Sequence, residues 1–133
     1  SWTPQVLPFQ ISIIGDLAFI ALPFEPSTMS GVRIRKSSLE ILKERGVKEV
    51  ILLPYANQYG GYITTPEEYT AQCYEGGHTV FGKWTLPAIQ TVLKELTLAM
   101  LDEEDQRVLD KTILPPTFSE HELKIRKFSP HNF

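Results

Sequence analysis

Residues 10–22 read QISIIGDLAFIAL, two short apolar runs that are separated by Gly15 and Asp16. Runs of strand length that are rich in Ile and Phe and flank a glycine turn are typical of a β-hairpin. The sequence therefore predicts two strands, residues 10–14 and 17–22, that are joined by a tight turn.

An amphipathic helix and a third strand are predicted to follow the hairpin. Candidate N-cap residues stand at positions 27–30, and Gly46 is placed to end the helix. Between them, apolar residues recur at helical spacing: Val32, Ile34, Leu39, Ile41 and Leu42. Residues 47–54, VKEVILLP, hold a continuous apolar stretch of strand length, which predicts a strand buried on both faces.

Two further helices are predicted in the second half of the chain. Thr65 and Pro66, followed by two glutamates, form a helix start with a cap, a proline at the first position and acids in the first turn. From Thr85 to about Asp102, apolar residues recur every three or four positions and predict a longer helix. The order of elements predicts an α/β fold, a short mixed sheet with flanking helices.

Composition and charge limit the classes of function. The chain has 133 residues with 42% hydrophobic content, enough for one buried core. The formal net charge is −3 and no cluster of Lys and Arg makes a basic stripe, so we expect no nucleic-acid partner. Cys73 is the single cysteine, so it has no partner for an internal disulfide, and we expect it to be a small packed side chain.

The two ends of the chain suggest how it is organised. It starts with Ser1 and lacks an initiator Met, so we expect it to come from the middle of a longer polypeptide. Residues 114–133 contain Pro115, Pro116 and Pro130 and show no helical or strand period, which predicts an extended tail or linker. Residues 1–113 would then form the structured part.

Tyrosines are concentrated in one segment. Residues 57–77, NQYGGYITTPEEYTAQCYEGG, contain Tyr59, Tyr62, Tyr69 and Tyr74 around two adjacent glycines. The segment follows the third predicted strand, and Glu25 stands between a strand end and a helix start. Because ligands usually bind at the carboxyl ends of strands in α/β proteins, we expect Glu25 and the tyrosine segment to meet at a functional site.

Two segments resemble the neutral (non-lysosomal) ceramidases. Residues 22–31, LPFEPSTMSG, resemble the family's PGE-x-T-T-M-x-G segment, and residues 57–76 resemble its N-x-Y-x-x-Y-[VI]-T-T-x-E-E-Y-x-x-Q-x-Y-E-G segment. The likeness continues through residues 79–82, TVFG, and 85–86, TL, which resemble parts of the family's S-T-x-Y-G-P-H-T-L segment, and it extends over about residues 5–100. It implies the C-terminal part of a larger layered catalytic domain, in an enzyme that hydrolyses the amide bond of N-acylsphingosine.

The resemblance also implies a zinc cofactor. By position in the motifs, Glu25 and Tyr62 would be zinc ligands, and Tyr74 would be the catalytic residue that stabilises the oxyanion of the scissile carbonyl. The family's two histidine ligands and an active-site serine lie in segments that this chain does not contain. The resemblance therefore implies half a site, which an upstream segment or a second chain would complete around a ceramide-like lipid substrate.

Simpler interpretations stay open for each of these residues. Glu25 could be a carboxylate favoured by a helix dipole, and Tyr62 and Tyr74 could be packed aromatic side chains. Phe24 stands where the family has Gly and is expected to crowd the metal or reshape the strand exit. The three histidines, His78, His121 and His131, lack ligand spacing, so we expect surface residues.

Two hypotheses of function follow. The first is a zinc-dependent, ceramidase-like amidohydrolase of which this chain supplies part of the active site, and a variant of it keeps the metal but acts on another lipid amide or ester. The second is a non-catalytic, ceramidase-derived binding or assembly module that docks a partner chain. The resemblance suggests a secreted, periplasmic or membrane-associated protein, and a peripheral membrane contact through the helix of residues 85–102 stays open.

Overall fold

The computed structural model describes residues 3–107 and 113–125. The strands are β1 (Gln10–Ile14), β2 (Leu17–Ala21), β3 (Glu25–Pro26), β4 (Glu49–Leu53) and β5 (Tyr62–Ile63). The helices are α1 (Thr28–Leu42), α2 (Pro66–Ala71), α3 (Tyr74–Gly77), α4 (Thr85–Ala99) and α5 (Glu120–Ile125), and short 3₁₀ turns cover Lys43–Arg45 and Glu104–Gln106.

The main sheet has three strands in the order β1-β2-β4. β1 pairs with β2 in antiparallel orientation, and Gly15 (φ 61°) occupies the left-handed conformation that the tight turn requires. β2 pairs with β4 in parallel orientation, because α1 carries the chain back to the same end of the sheet. The predicted hairpin and the predicted fold class, an α/β fold with a short mixed sheet and flanking helices, are confirmed.

Local signals fix both ends of α1. The Ser27 side chain accepts a hydrogen bond from the Ser30 N–H at 3.2 Å, which satisfies one of the free donors of the first turn. At the other end, Gly46 adopts a left-handed conformation with φ 84° and closes the 3₁₀ turn. The apolar stripe of α1 packs on the core through Ile34 and Leu42, each of which contributes about 1.5–3 kcal/mol by burial.

The prediction that the strand of residues 47–54 is buried on both faces is wrong. Only Val50, at 1% exposure, is buried within β4, whereas Leu53 is 44% exposed. Successive side chains of a strand point to opposite faces, and in β2 and β4 the buried residues Ala18, Ile20 and Val50 share the face that packs with α1. Within the described residues, the other face of this edge strand has no comparable cover.

Phe24 lies in the core and does not crowd Glu25. Its ring is 3% exposed and contacts the rings of Phe9 and Phe81, with centroid distances of 6.1 and 5.9 Å. Because neighbouring residues of an extended chain point to opposite sides, the side chain of Glu25 leaves the core where Phe24 enters it. Phe24 also takes the space beside Gly60, where a Cβ atom would lie 2.6 Å from its Cε1.

Replacing Gly60 by Ala is therefore expected to destabilise the fold by about 1–3 kcal/mol, the usual cost of overpacking a core. Gly60 does not have a positive φ, so the clash with Phe24 is the physical cause. Gly77→Ala is the matched control, because nothing lies within 4 Å of the added Cβ. Urea unfolding of both variants checks the prediction, and equal midpoints for the two variants would contradict it.

The segment of residues 114–133 is not extended throughout. Helix α5 (Glu120–Ile125) begins after Ser119, whose side chain accepts from the Glu122 N–H while its own N–H donates to the Glu122 carboxylate. This reciprocal cap is a local sequence signal for a helix, but the prolines of the segment led to the prediction of an extended tail. The division of the chain at residue 114 stays a prediction. Among the described residues, no helix has the length and apolar character that a bilayer crossing requires.

Candidate functional site

A second, two-stranded sheet places Glu25 beside Tyr62. β3 and β5 are parallel, and Glu25 and Tyr62 are direct partners in their register. The Glu25 N–H donates to the Gly61 carbonyl at 3.0 Å, and the Ser27 N–H donates to the Ile63 carbonyl at 2.9 Å. Residues that are paired across two strands direct their side chains to the same face, so the carboxylate and the phenol are neighbours although they lie far apart in the sequence.

The loop between β4 and β5 is folded back onto the segment before Glu25. The Ala56 N–H donates to the Leu22 carbonyl at 2.9 Å, and the Gly60 N–H donates to the Pro23 carbonyl at 2.7 Å. This path requires positive φ angles at Tyr55 (59°) and at Gly61 (88°). For a tyrosine this conformation costs on the order of 1–3 kcal/mol, and such strain clusters at functional sites.

The fold of this loop surrounds the Glu25 carboxylate with phenols. The Tyr59 hydroxyl donates to Glu25 Oε2 at 2.9 Å, and Tyr55 and Tyr62 interact with the same carboxylate. Partial burial works to raise the pKa of Glu25, but the hydrogen bonds from the three phenols outweigh it and hold that pKa below 4.5. Glu25 is therefore an anion at neutral pH.

The same contacts keep the phenols protonated. The hydrogen bond to Glu25 raises the pKa of Tyr62 to about 12, and burial together with Glu25 raises the pKa of Tyr59 to about 12. The hydrogen bond to Glu25 also raises the pKa of Tyr55 above 10.0. Tyr55 belongs to the site although it precedes the tyrosine-rich segment; only its position directly after the third strand could have indicated this from the sequence.

Tyr74 lies against Tyr62 on the first position of α3. Their ring centroids are 5.9 Å apart and the rings meet edge to face, at 83°. The His78 ring stacks on the Tyr74 ring, and the two ring centroids are 4.4 Å apart. The structure thus brings together all three predicted site residues, and it adds Tyr55, Tyr59 and His78. The roles predicted for Glu25, Tyr62 and Tyr74 stay predictions.

The residues present could provide two of the ligands of a zinc ion. A carboxylate and a phenol oxygen suit a hard or borderline cation, and Glu25 and Tyr62 lie side by side. A structural or catalytic zinc site usually has three or four protein ligands. Among residues 3–107 and 113–125, no group of three or more His, Cys, Asp or Glu side chains could hold a metal ion. The fit is therefore that of half a site.

In the structure, residues other than Glu25 make the capping contacts at the start of α1, which weakens the simpler interpretation of Glu25 as a partner of the helix dipole. Ser27 caps α1, and its hydroxyl donates to the Glu68 carboxylate at 2.6 Å. Glu68 also closes a capping box with Thr65 at the start of α2, as a first-turn acid does. The capping contacts around α1 are thus made by Ser27 and Glu68, while Glu25 binds phenols.

Two expectations for single residues have different outcomes. Cys73, expected to be packed, is exposed, because it stands in the turn between α2 and α3. His121 is exposed on α5, in agreement with the expectation. His78 is exposed as expected but it also contacts a site tyrosine. His131 lies outside the described residues.

The chain is similar to neutral ceramidases in sequence. The family model for the neutral/alkaline non-lysosomal ceramidase N-terminal region matches residues 1–91. The neutral ceramidase of Pseudomonas aeruginosa is 43% identical over 99 residues, which are 74% of this chain and 15% of that protein. That of Mycobacterium tuberculosis is 41% identical over 98 residues, again 74% of this chain and 15% of the relative. The chain thus spans about a seventh of their length.

Solved ceramidase structures agree with the fold. A structure described as ceramidase complexed with C2 matches with a TM-score of 0.81 and 38% identity, over 87% of this chain and 18% of that one. The crystal structure of neutral ceramidase from Pseudomonas aeruginosa matches with a TM-score of 0.78 and 36% identity, over the same shares. The matching family model describes the N-terminal region, so the expected placement in a C-terminal part of the catalytic domain receives no support. The chain belongs to the neutral/alkaline non-lysosomal ceramidase family.

Proposed function

We propose that this chain supplies part of the active site of a zinc-dependent amidase that hydrolyses N-acylsphingosine (ceramide) or a similar lipid amide. The observation that carries the proposal is the direct pairing of Glu25 with Tyr62, with the ring of Tyr74 against that of Tyr62. The curated relatives that support it are named neutral ceramidases.

In this proposal Glu25 and Tyr62 each provide one oxygen ligand to zinc. When bound there, zinc would supply Lewis-acid chemistry, the polarisation of a carbonyl and the activation of a water at neutral pH. Glu25 suits the role because the low pKa of its carboxyl keeps it anionic. The hydrogen bond to Glu25 raises the pKa of Tyr62 to about 12, so its phenol keeps its proton beside Glu25, and the charge of a bound cation would be needed for it to act as a phenolate ligand.

Tyr74 is proposed to act on the substrate. Its side chain is 66% exposed, so the hydroxyl can reach a bound lipid amide. A neutral phenol can donate a hydrogen bond to the carbonyl oxygen as negative charge develops there, which stabilises the transition state more than the ground state. In addition to the two zinc ligands, this chain would therefore bind and orient the amide beside the rings of Tyr62 and Tyr74.

The remaining ligands are proposed to come from a histidine-bearing partner, either an upstream segment of the same polypeptide or a second chain. The two oxygens of this chain leave at least one further protein ligand to be provided. The face of β4 that has little cover and the exposed Leu53 at its end offer apolar surface to such a partner.

The test is an assay of the complete protein, with this chain and its histidine-bearing partner together. We expect release of fatty acid and sphingoid base from N-acylsphingosine, loss of activity on zinc chelation, and recovery when zinc is returned. Full activity after complete removal of zinc would contradict the metal assignment. Stable assembly with the partner and stoichiometric zinc, but no hydrolysis of any lipid amide, would instead favour the non-catalytic assembly module.

A further inference from the structure

We propose that His78 is a positioning residue that holds the ring of Tyr74 in place against Tyr62. The inference rests on the proposed role of Tyr74 and extends it to a residue outside the predicted site. His78 follows Tyr74 by four positions, so the two side chains share one face of the α3 turn. The ring centroids lie 4.4 Å apart with an interplanar angle of 36°, which is a close, tilted stack.

A hydrogen bond fixes the imidazole in this stack. His78 Nδ1 lies 2.8 Å from the backbone carbonyl oxygen of Tyr74. Because a carbonyl oxygen only accepts, Nδ1 carries the proton in this contact and donates it. The imidazole is thus tied to the backbone of the residue whose ring it covers.

The backbone of His78 also contacts Tyr62. The His78 carbonyl accepts a hydrogen bond from the Tyr62 N–H at 3.2 Å. The approach is close: a Cβ on Gly61 would lie 2.9 Å from that carbonyl oxygen, and Gly61 has φ 88°. One residue therefore holds the ring of Tyr74 and the backbone of Tyr62.

The neighbouring residue anchors this arrangement in the protein interior. Thr79 is buried, and its hydroxyl shares a hydrogen bond of 2.9 Å with the hydroxyl of Thr64, which follows β5. Its hydroxyl also donates to the Glu75 carbonyl at 2.8 Å. The backbone at His78 is consequently held in place. Without these hydrogen bonds, an exposed residue at the end of a four-residue helix would have no such support.

The stack matters because Tyr74 is largely exposed. An exposed tyrosine changes rotamer freely, and fixing it before the reaction removes that entropic cost from the chemical step. In the family segment S-T-x-Y-G-P-H-T-L the Thr falls on Thr79, so the Ser before it falls on His78, and serine has no ring to stack. The inference therefore concerns a feature of this chain that the quoted family motif does not contain.

Two variants of His78 in the complete enzyme separate the stack from the hydrogen bond, and a third variant is their control. His78→Asn keeps a donor for the Tyr74 carbonyl but removes the ring, and we expect kcat to fall about tenfold with little change in KM. His78→Phe keeps the ring, and we expect it to recover kcat to within about twofold of the unmodified enzyme. His121→Asn, at an exposed histidine on α5, is the matched control. A normal kcat in His78→Asn would overturn the inference.

A double-mutant cycle with Tyr74→Phe distinguishes positioning from a general structural effect. If His78 acts through the Tyr74 hydroxyl, His78→Asn should cause no further loss of kcat in the Tyr74→Phe background. An equal loss in both backgrounds would overturn the inference. Full activity of Tyr74→Phe would instead contradict the proposed role of Tyr74 itself, so the two failures are distinguishable.

A spectroscopic measurement on this chain does not depend on activity. The imidazole lies over the phenol, so its ring current should shift the NMR resonances of the Tyr74 ring protons, and His78→Asn should abolish that shift. The Tyr69 ring resonances, on α2, serve as the internal reference. Unchanged Tyr74 resonances in His78→Asn would show that the stack does not hold the ring and would overturn the inference.

Discussion

Replacing Glu25 by Gln is expected to lower kcat/KM of the complete enzyme by about 100-fold or more, because residues that only support a metal ligand already contribute about 10–100-fold. The substitution preserves the shape of the side chain and removes its charge. A neutral amide is a poor zinc ligand, so zinc content and activity should fall together. Both are measured on the same preparation, by metal analysis and by hydrolysis of N-acylsphingosine.

The matched control is Glu95→Gln, which removes a carboxylate from an exposed position on α4. We expect its zinc content and activity to equal those of the unmodified enzyme, since it changes the net charge by the same amount at a distant place. Normal zinc occupancy and normal turnover in Glu25→Gln would show that Glu25 is not a ligand, and the proposal for the metal site would then fail.

Spectrophotometric titration of the tyrosines gives a readout of the same substitution without metal or substrate. Burial and Glu25 together raise the pKa of Tyr59 to about 12, and the hydrogen bond to Glu25 raises the pKa of Tyr62 to about 12. Glu25→Gln should therefore lower both pKa values, and that of Tyr62 by more, because burial continues to raise the pKa of Tyr59. A raised folded-state pKa contributes stability that is complete below pH 10 and is lost as the pH rises towards 12. The lowered pKa of Glu25 acts at the other end, since its contribution is present above pH 4.5 and is lost as the pH falls further.

The elements that the sequence predicted well are those with local signals. The hairpin depends on Gly15 and its flanking apolar runs, and α2 depends on the Thr65 cap, Pro66 and Glu68, all of which act over a few residues. The bounds of α1 follow in the same way from Ser27 and Gly46. In each case the residues that decide the structure are neighbours in the chain.

Two of the elements that it did not predict, β3 and β5, depend on contacts between distant segments. β3 and β5 have two residues each, too short for any periodic pattern, and they exist because the loop of residues 54–61 folds onto residues 22–24. Tyr55 reaches the site because its φ is positive, and no sequence pattern predicts a positive φ for a tyrosine. The exposure of Leu53 likewise depends on which layers cover the sheet.

The sequence predicts the three residues of the candidate site, but it does not predict the side chains that contact them. Position in two motifs indicates Glu25, Tyr62 and Tyr74, and the structure places Glu25 beside Tyr62 and Tyr62 against Tyr74. Neither the motifs nor the periodicities indicated that Tyr59 would donate to Glu25 or that His78 would stack on Tyr74, because both contacts need the backbone path first. Charge and geometry around the site are therefore what the structure adds.

Replacing Tyr74 by Phe is expected to lower kcat of the complete enzyme by about 10²–10³-fold, the usual effect of removing one hydrogen-bond donor to an oxyanion. The substitution removes only the hydroxyl, so the edge-to-face contact with Tyr62 and the stack with His78 are retained. Because the lost interaction forms in the transition state, KM should change far less than kcat. Steady-state kinetics with N-acylsphingosine and zinc analysis of the variant check both expectations.

Two comparisons separate this effect from loss of the fold or of the metal. Tyr69→Phe removes a phenol hydroxyl from a half-buried tyrosine of α2 and should leave kcat unchanged, whereas zinc content should be normal in both variants. Tyr74 is 66% exposed, so loss of its hydroxyl should also leave the unfolding midpoint nearly unchanged. A Tyr74→Phe enzyme with normal kcat would remove the oxyanion role from this chain, and one that loses zinc would place Tyr74 among the residues that hold the metal. A fall in kcat at constant zinc content and constant stability is the result that a donor to the reacting carbonyl is expected to produce.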